Sequence, residues 1–251
     1  MPTSLQQLSK RTVSLLPDSM QERLRRHHYL KKLRRAQITD EPDLAAIALL
    51  TKPGDTVLDI GANFGLFTRF LSESVGSMGK VYSFEPTVDM FDVLRNNCSE
   101  LGLGNATCLR TALSDVTGRM EMSIPIREDG TLNHYEASLG HLDAGSPVKS
   151  FTVETSTLDD FCRQRGIDRI DFIKCDVEGH ELEVLSGATE TLKRFHPPIL
   201  LEVNDPLDLP GHGSEVLARI RELGYHVHVL DGGRLRPRQA GEVFVNYVLL
   251  P

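Results

Sequence analysis

The residues with chemistry to offer recur at one kind of place, the end of an apolar run. Thr56 to Ile60 is apolar around a single acid, Asp59, and runs directly into Gly61-Ala62-Asn63-Phe64-Gly65. A second run, Val81-Tyr82-Ser83-Phe84, ends on Glu85, and a third closes on Ala112-Leu113-Ser114-Asp115. The run 170–175 ends on Asp176, with Glu178 and His180 just behind it, and Ile199-Leu200-Leu201 ends on Glu202 with Asn204 following. Carboxylates so placed can accept protons from hydroxyl groups, balance a cation or act as a base, and glycines in a turn let a ligand approach the backbone. Any one of these acids has an ordinary reading as an exposed loop carboxylate or a helix N-cap. Five polar ends on one edge of a sheet read as a site.

The elements that must position them alternate. Residues 66–75 and 87–101 have helical periodicity, the stretches 80–85 and 106–113 read as strands, and the order repeats with helices over 181–195 and 214–223. Such alternation means βαβ units and a parallel sheet, whose ligand crevice lies at the carboxyl ends of the strands. Residues 225–230, the turn Asp231-Gly232-Gly233 and residues 243–250 read as a closing antiparallel hairpin, which suits a methyltransferase sheet better than a dehydrogenase one. Residues 119–124 break the period as an added strand. A polar stretch over 128–147, with Asn133, His134, Tyr135 and Ser138, reads as a lid or irregular loop before strand character resumes at 151–155 and Thr157 caps a helix. The acids Asp40, Glu41 and Asp43, with Pro42 among them, are expected to cap a helix ending at Leu50.

The first turn carries G-x-x-x-G, so the dinucleotide pattern G-x-G-x-x-G is not met, and the turn contains neither lysine nor arginine. In a wound sheet Glu85 lies beside that turn, where it can accept both ribose hydroxyl protons, and Asp59 is expected to face a positive charge on the ligand. Two acids around a glycine turn describe a cofactor without phosphates, S-adenosylmethionine better than NAD or ATP. A nicotinamide oxidoreductase is disfavoured further because none of the five tyrosines begins a Tyr-x-x-x-Lys relay.

Composition bounds the remaining choices. The 251 residues, 40% hydrophobic, can hold one large α/β domain, here expected over residues 41–251 with a helical extension over 1–40. The net charge of −7 argues against a nucleic-acid binder. Residues 23–35 nevertheless gather seven positive side chains and no acid, so the remainder carries twice the net charge of the whole. The ordinary reading is a solvated helix face that packs Leu24, Leu30 and Leu33 on the domain. The alternatives are contact with an acidic substrate, peripheral contact with an anionic membrane, or a non-catalytic adaptor that binds RNA or membrane through this segment. Four cysteines, Cys98, Cys108, Cys162 and Cys175, show neither C-x-x-C nor zinc spacing, which suits a reducing cytoplasm, and the apolar runs near the start are too short to span a bilayer. A soluble protein is expected.

The segments VLDIGANFG (57–65), FEP (84–86), TALS (111–114), STLD (156–159) and DFIKCDVEGHE (171–181) together resemble the FkbM family of S-adenosylmethionine-dependent methyltransferases, over roughly residues 41–204. The resemblance implies a class I methyltransferase fold, Rossmann-like and doubly wound, with a seven-stranded sheet that is mostly parallel. It also implies methyl transfer to a hydroxyl of a sugar, glycolipid or natural product, so the partner is a small-molecule or carbohydrate acceptor. By the same resemblance Gly61, Asn63 and Gly65 line the methionine and ribose part, Glu85 the ribose diol, and Leu113 and Ser114 the adenine. Acceptor choice falls to residues 1–40 and the 128–147 stretch. The candidate bases are His180, whose unperturbed pKa of ~6.5 suits the task, and Asp176, which could also orient the acceptor. Asp176 and Glu202, ending adjacent strands, could alternatively hold a divalent cation, with Asn204 or Asp205 offered as the third ligand.

Overall fold

The computed structural model describes residues 17–127, 132–133, 137–139 and 147–251. The first part of the 1–40 extension, and His134 and Tyr135 of the expected lid, lie outside the described residues. In chain order the elements are α1 (Asp18–Arg35), α2 (Leu44–Leu50), β1 (Thr56–Ile60), α3 (Leu66–Val75), β2 (Lys80–Phe84), α4 (Val88–Glu100), β3 (Ala106–Leu109), β4 (Ala112–Leu113), β5 (Gly118–Pro125) and β6 (Ser138–Leu139). They continue with β7 (Val148–Ser156), α5 (Leu158–Arg165), β8 (Phe172–Cys175), α6 (Glu181–Ser186), α7 (Thr189–Phe195), β9 (Ile199–Glu202), α8 (His212–Glu222), β10 (His226–Asp231), β11 (Arg234–Pro237) and β12 (Asn246–Leu250).

The main sheet runs β11-β10-β12-β9-β8-β1-β2-β3. Strands β3, β2, β1, β8 and β9 are parallel, and β12 enters antiparallel between β9 and β10. The sheet therefore has eight strands where seven are expected. The extra one is β11, which the Gly232-Gly233 turn folds back on β10 as an antiparallel edge. That turn makes its hairpin with β11, and β12 is reached only afterwards. Because β1 is buried along its whole length, its alternate residues feed two cores. Leu58 and Ile60 pack with Phe84, Ile173, Leu201 and Tyr247 under α5 to α8, while Val57 packs with Val81, Phe172, Leu200 and Val248 under α2 and α3. The order reverses at β1, flanked by β8 and β2, and a ligand crevice is expected above that point.

A second sheet, β4-β7-β5-β6, stands beside the first. The strand expected over 106–113 is in fact broken at Arg110 and Thr111: β3 stays in the main sheet, while β4 pairs with β7. The added strand and the resumed one pair antiparallel along their full length, Gly118 opposite Thr155 through Pro125 opposite Val148. Within the expected lid, Leu132 bridges Ile126 and β6 pairs with β5, so its described residues extend this sheet.

Two local expectations change. The helix expected over 181–195 is two helices, α6 and α7, because Gly187 passes against Ser114, where a Cβ would sit 2.0 Å from the carbonyl oxygen. Asp159 then accepts from the Glu190 and Thr191 amides and caps α7 from a distance. Asp43 makes no side-chain cap to α2 but accepts from Asn246 Nδ2 at 2.8 Å. Thr157 does cap α5, accepting from the Asp160 amide at 2.9 Å.

Helix α1 lies on α4. Leu30 and Leu33 are buried as expected, but Leu24 is 44% exposed, since it falls on the opposite face. Arg25 pairs with Asp89 at 2.8 Å and Arg34 with Glu100 at 3.4 Å, so part of the basic cluster is turned toward the acids of α4. Tyr29 stacks on Phe64 with centroids 5.0 Å apart, and Lys32 sits 4.7 Å over the same ring. The Arg69 guanidinium of α3 donates to the Leu33 and Ala36 carbonyls and closes the C-terminal end of α1. No helix among the described residues is long and apolar enough to cross a membrane.

Candidate active site

A cleft opens at the carboxyl ends of β1, β2, β4 and β8, with about 640 Å³ of empty space between its walls, part of it open to solvent. Gly61 and Asn63 form one wall, Phe84, Glu85 and Pro86 a second, and Ala112 and Leu113 a third. Met122, Ala137 and Leu139 lean in from the second sheet, and Asp176, Val177 and Glu178 close the remaining side.

The turn after β1 is built by close contact. Gly61 has φ +78°, and a Cβ there would stand 1.7 Å from the Asp176 carbonyl oxygen, so glycine is required on two grounds. Its amide and that of Ala62 donate to the Phe84 carbonyl, which ties the turn to β2. Asn63 is also left-handed, a conformation asparagine tolerates, and its amide donates to Glu85 Oε2 at 3.0 Å. Its own side-chain oxygen is buried without a partner on the cleft wall. Glu85 is 6% exposed, and its other oxygen accepts from the Thr87 amide at 2.9 Å and hydroxyl at 2.5 Å. Burial pushes its pKa up against the lowering effect of those hydrogen bonds.

Not every expected residue reaches the cleft. Asp59 is fully buried one residue before it, accepting from Thr68 Oγ1 at 2.5 Å, and so does not face a ligand charge as expected. Gly65 starts α3 against Leu94, and Ser114 turns away from Leu113 by the alternation of the strand. Ser114 Oγ instead meets His180 Nε2 at 2.9 Å, while His180 Nδ1 lies 3.5 Å from Glu183. His180 is therefore neither a solvated first-turn residue nor a base facing the cleft. At the N-cap of α6 and 5% exposed, it joins the end of β4 to the end of β8.

Burial holds the His180 imidazole below its ordinary pKa. A depressed histidine contributes stability that is present above the unfolded value of ~6.5 and lost as pH falls through the folded one. His212, raised by its hydrogen bond to Glu181, acts in the opposite sense. His180→Gln, which can still bond Ser114, should therefore lose less thermal stability than the native chain between pH 7 and pH 5. Melting curves across that range check this.

Glu202 lies outside the cleft wall, yet Asp176, Glu178 and Glu202 each bring one carboxylate oxygen within 4.8 Å of the others. The third carboxylate is thus Glu178, held at φ +50°, rather than Asn204 or Asp205, and Asn204 Nδ2 donates to Glu178 at 3.4 Å. Burial pushes Glu202 up to about 7, aided by the charge of Asp176. Beneath the group lies Lys174, 4% exposed, whose ammonium donates to Asp176 Oδ2 at 2.8 Å. Burial alone would lower its pKa, but the charges of Asp176 and Asp59 carry it above the ordinary lysine value. The sequence carried a signal for Lys174, a lone cation inside the apolar run before Asp176. For Met122, Ala137 and Leu139 no comparable signal exists.

A β3-β2-β1-β8-β9 parallel core with β12 reversed, and a carboxylate-bearing cleft at its switch point, is the architecture of a class I S-adenosylmethionine-dependent methyltransferase. The family model described as the methyltransferase FkbM domain matches residues 59–227, and the chain belongs to that family. It is 30% identical over 185 residues to the 2-O-methyltransferase NoeI of Sinorhizobium fredii, covering 70% of this chain and 74% of NoeI. It is 32% identical over 174 residues to the hexuronic acid methyltransferase AglP of Haloferax volcanii, covering 67% of this chain and 66% of AglP. Among solved structures, cofactor-bound Rv0187 from MTB matches with a TM-score of 0.50 at 12% identity, over 91% of this chain and 88% of that one, a likeness of fold.

Proposed function

We propose that this methyltransferase acts on oxygen, transferring the methyl group to a hydroxyl of a sugar or a related hydroxylated small molecule. The observation that carries the reading is the pair of carboxylates at the end of β8, Asp176 and Glu178, which share one cleft with Glu85 and Asn63. The names of the relatives, one a 2-O-methyltransferase and one acting on hexuronic acid, support the same acceptor class.

The cleft residues suit S-adenosylmethionine. Glu85 can accept from the ribose diol, the partnerless Asn63 oxygen can accept from the amino-acid ammonium, and Pro86, Leu113, Met122 and Leu139 offer an apolar slot for adenine. When bound, this cofactor supplies a methyl group already activated by a sulfonium. What is left to the protein is to position the acceptor and take its proton. Asp176 faces the cleft and is our candidate for both tasks, orienting the acceptor hydroxyl and taking its proton. His180 acts through Ser114 and helix α6 as a positioning residue.

The same reading takes residues 1–40 as an extension whose helix braces Phe64 in the cofactor turn, and residues 41–251 as the catalytic domain. Tyr29, Lys32, Arg25 and Arg34 are committed to that packing, which favours a brace over a membrane or RNA contact. Four free thiols suit a cytoplasmic location. The test is incubation with S-adenosylmethionine carrying a trideuterated methyl group and a panel of monosaccharides, uronic acids and glycosides. Transfer of the label to a hydroxyl supports the reading. Transfer only to nitrogen or carboxylate acceptors contradicts it.

A further inference from the structure

Three carboxylates within 4.8 Å of one another, two of them on a cleft wall, have the number and hardness of ligand that a divalent ion takes. Whether such an ion fits depends on what already lies against them. Lys174 stands at the centre of the sheet, directly opposite Asp59 on β1 and Leu200 on β9. By the period of two, Asp59, Lys174, Asp176 and Glu202 belong to one side of the sheet, stepping upward toward the cleft. The Lys174 stem packs against α3, where its nitrogen lies 4.9 Å from the Phe67 ring, and the ammonium donates to Asp176 Oδ2 at 2.8 Å. Thr68 satisfies one oxygen of Asp59, whose other oxygen is buried without a hydrogen bond, so this acid depends on a nearby positive charge.

We infer that Lys174 is the resident cation of this acidic group: its ammonium takes the place a divalent ion would need, fixes the Asp176 carboxylate at the cleft wall, and leaves the site closed to metal. An ammonium is suited to this because it is a compact charge with three donors on a stem that the core can hold. A divalent ion bound to Asp176 would either displace that hydrogen bond at Oδ2 or take the other oxygen, and in both cases would stand beside a buried like charge. The divalent cation considered for Asp176 and Glu202 therefore does not fit the residues present. The inference rests on the ion pair and not on the methyl-transfer reading, and its test needs no turnover, so the two can fail separately.

The test is titration of the full chain with Mn²⁺, followed by electron paramagnetic resonance of the free ion. The native chain should bind none at millimolar concentration at this group. Lys174→Met, which keeps the apolar stem and removes the charge, should gain one Mn²⁺ that is lost again when Asp176→Asn is added, while Lys174→Arg should stay closed. Stoichiometric Mn²⁺ binding by the native chain that Asp176→Asn abolishes would overturn the inference, and so would a Lys174→Met chain with native circular dichroism that binds no Mn²⁺. Should Lys174→Met not fold, the native titration still decides: no bound Mn²⁺ keeps the site closed as inferred, and Mn²⁺ that Asp176→Asn abolishes overturns the inference.

Discussion

Glu85→Gln should raise the dissociation constant for S-adenosylhomocysteine by about 100-fold and also lower stability by about 1–3 kcal/mol, because the glutamine NH2 group must face either the Asn63 or the Thr87 amide. The carboxylate faces the cleft and can take both ribose hydroxyls, and hydrogen bonds to a charged acceptor contribute about 1.5–3 kcal/mol each. An amide retains one acceptor of reduced strength, so a loss of roughly two factors of ten follows at about 1.4 kcal/mol for each. Glutamine is the informative replacement. Glu85 also holds the amides of Asn63 and Thr87, one on each oxygen, so glutamine keeps one of the two, whereas alanine would leave both without a partner and loosen the turn itself. Calorimetry on the variant, with a melting curve to verify its fold, reads the two effects separately. Native affinity in a well-folded Glu85→Gln chain would remove the ribose assignment.

Among the described glycines, Gly61→Ala should be the most damaging addition of a methyl group. The added Cβ would stand 1.7 Å from the Asp176 carbonyl oxygen, a backbone atom of a core strand end that cannot swing aside as a side chain would. The residue would also be held at φ +78°, which costs of the order of 1–3 kcal/mol before the clash is counted. With the clash included, a loss of roughly 4 kcal/mol or more is expected, a fall of about 10 °C in melting temperature for a chain of this size. Gly54 is the control. It too has positive φ, at +89°, but its Cβ would meet nothing within 4 Å, so Gly54→Ala should show only the conformational cost. Equal effects at the two positions would mean that the contact between β1 and β8 yields freely. In that case Gly61 is not the pivot of the cleft.

The parallel core was legible because each of its strands is an apolar run ending in a polar group, and the cleft residues Gly61, Asn63, Glu85, Leu113 and Asp176 all follow from that pattern. What the pattern could not supply was direction. A strand buried on both faces gives no sign of which side a residue takes, so Asp59 was expected at the ligand and lies enclosed with Thr68. The same ambiguity hid the turn of Ser114 away from Leu113 and toward His180. Pairing between distant segments was equally hidden. Neither β5 nor β7 announces its partner, and only their register brings Met122 to the cleft beside Leu139. The break between α6 and α7 depends on the approach of Ser114 to Gly187, a tertiary contact with no periodic trace.

An adenosyl site in the cleft over β1 and β2 should show itself in calorimetric titration of the native chain with S-adenosylmethionine and S-adenosylhomocysteine, with NADH as control. Saturable one-to-one binding of both adenosyl ligands and none of NADH is the predicted result. Binding of NADH, or of neither adenosyl ligand, would contradict it.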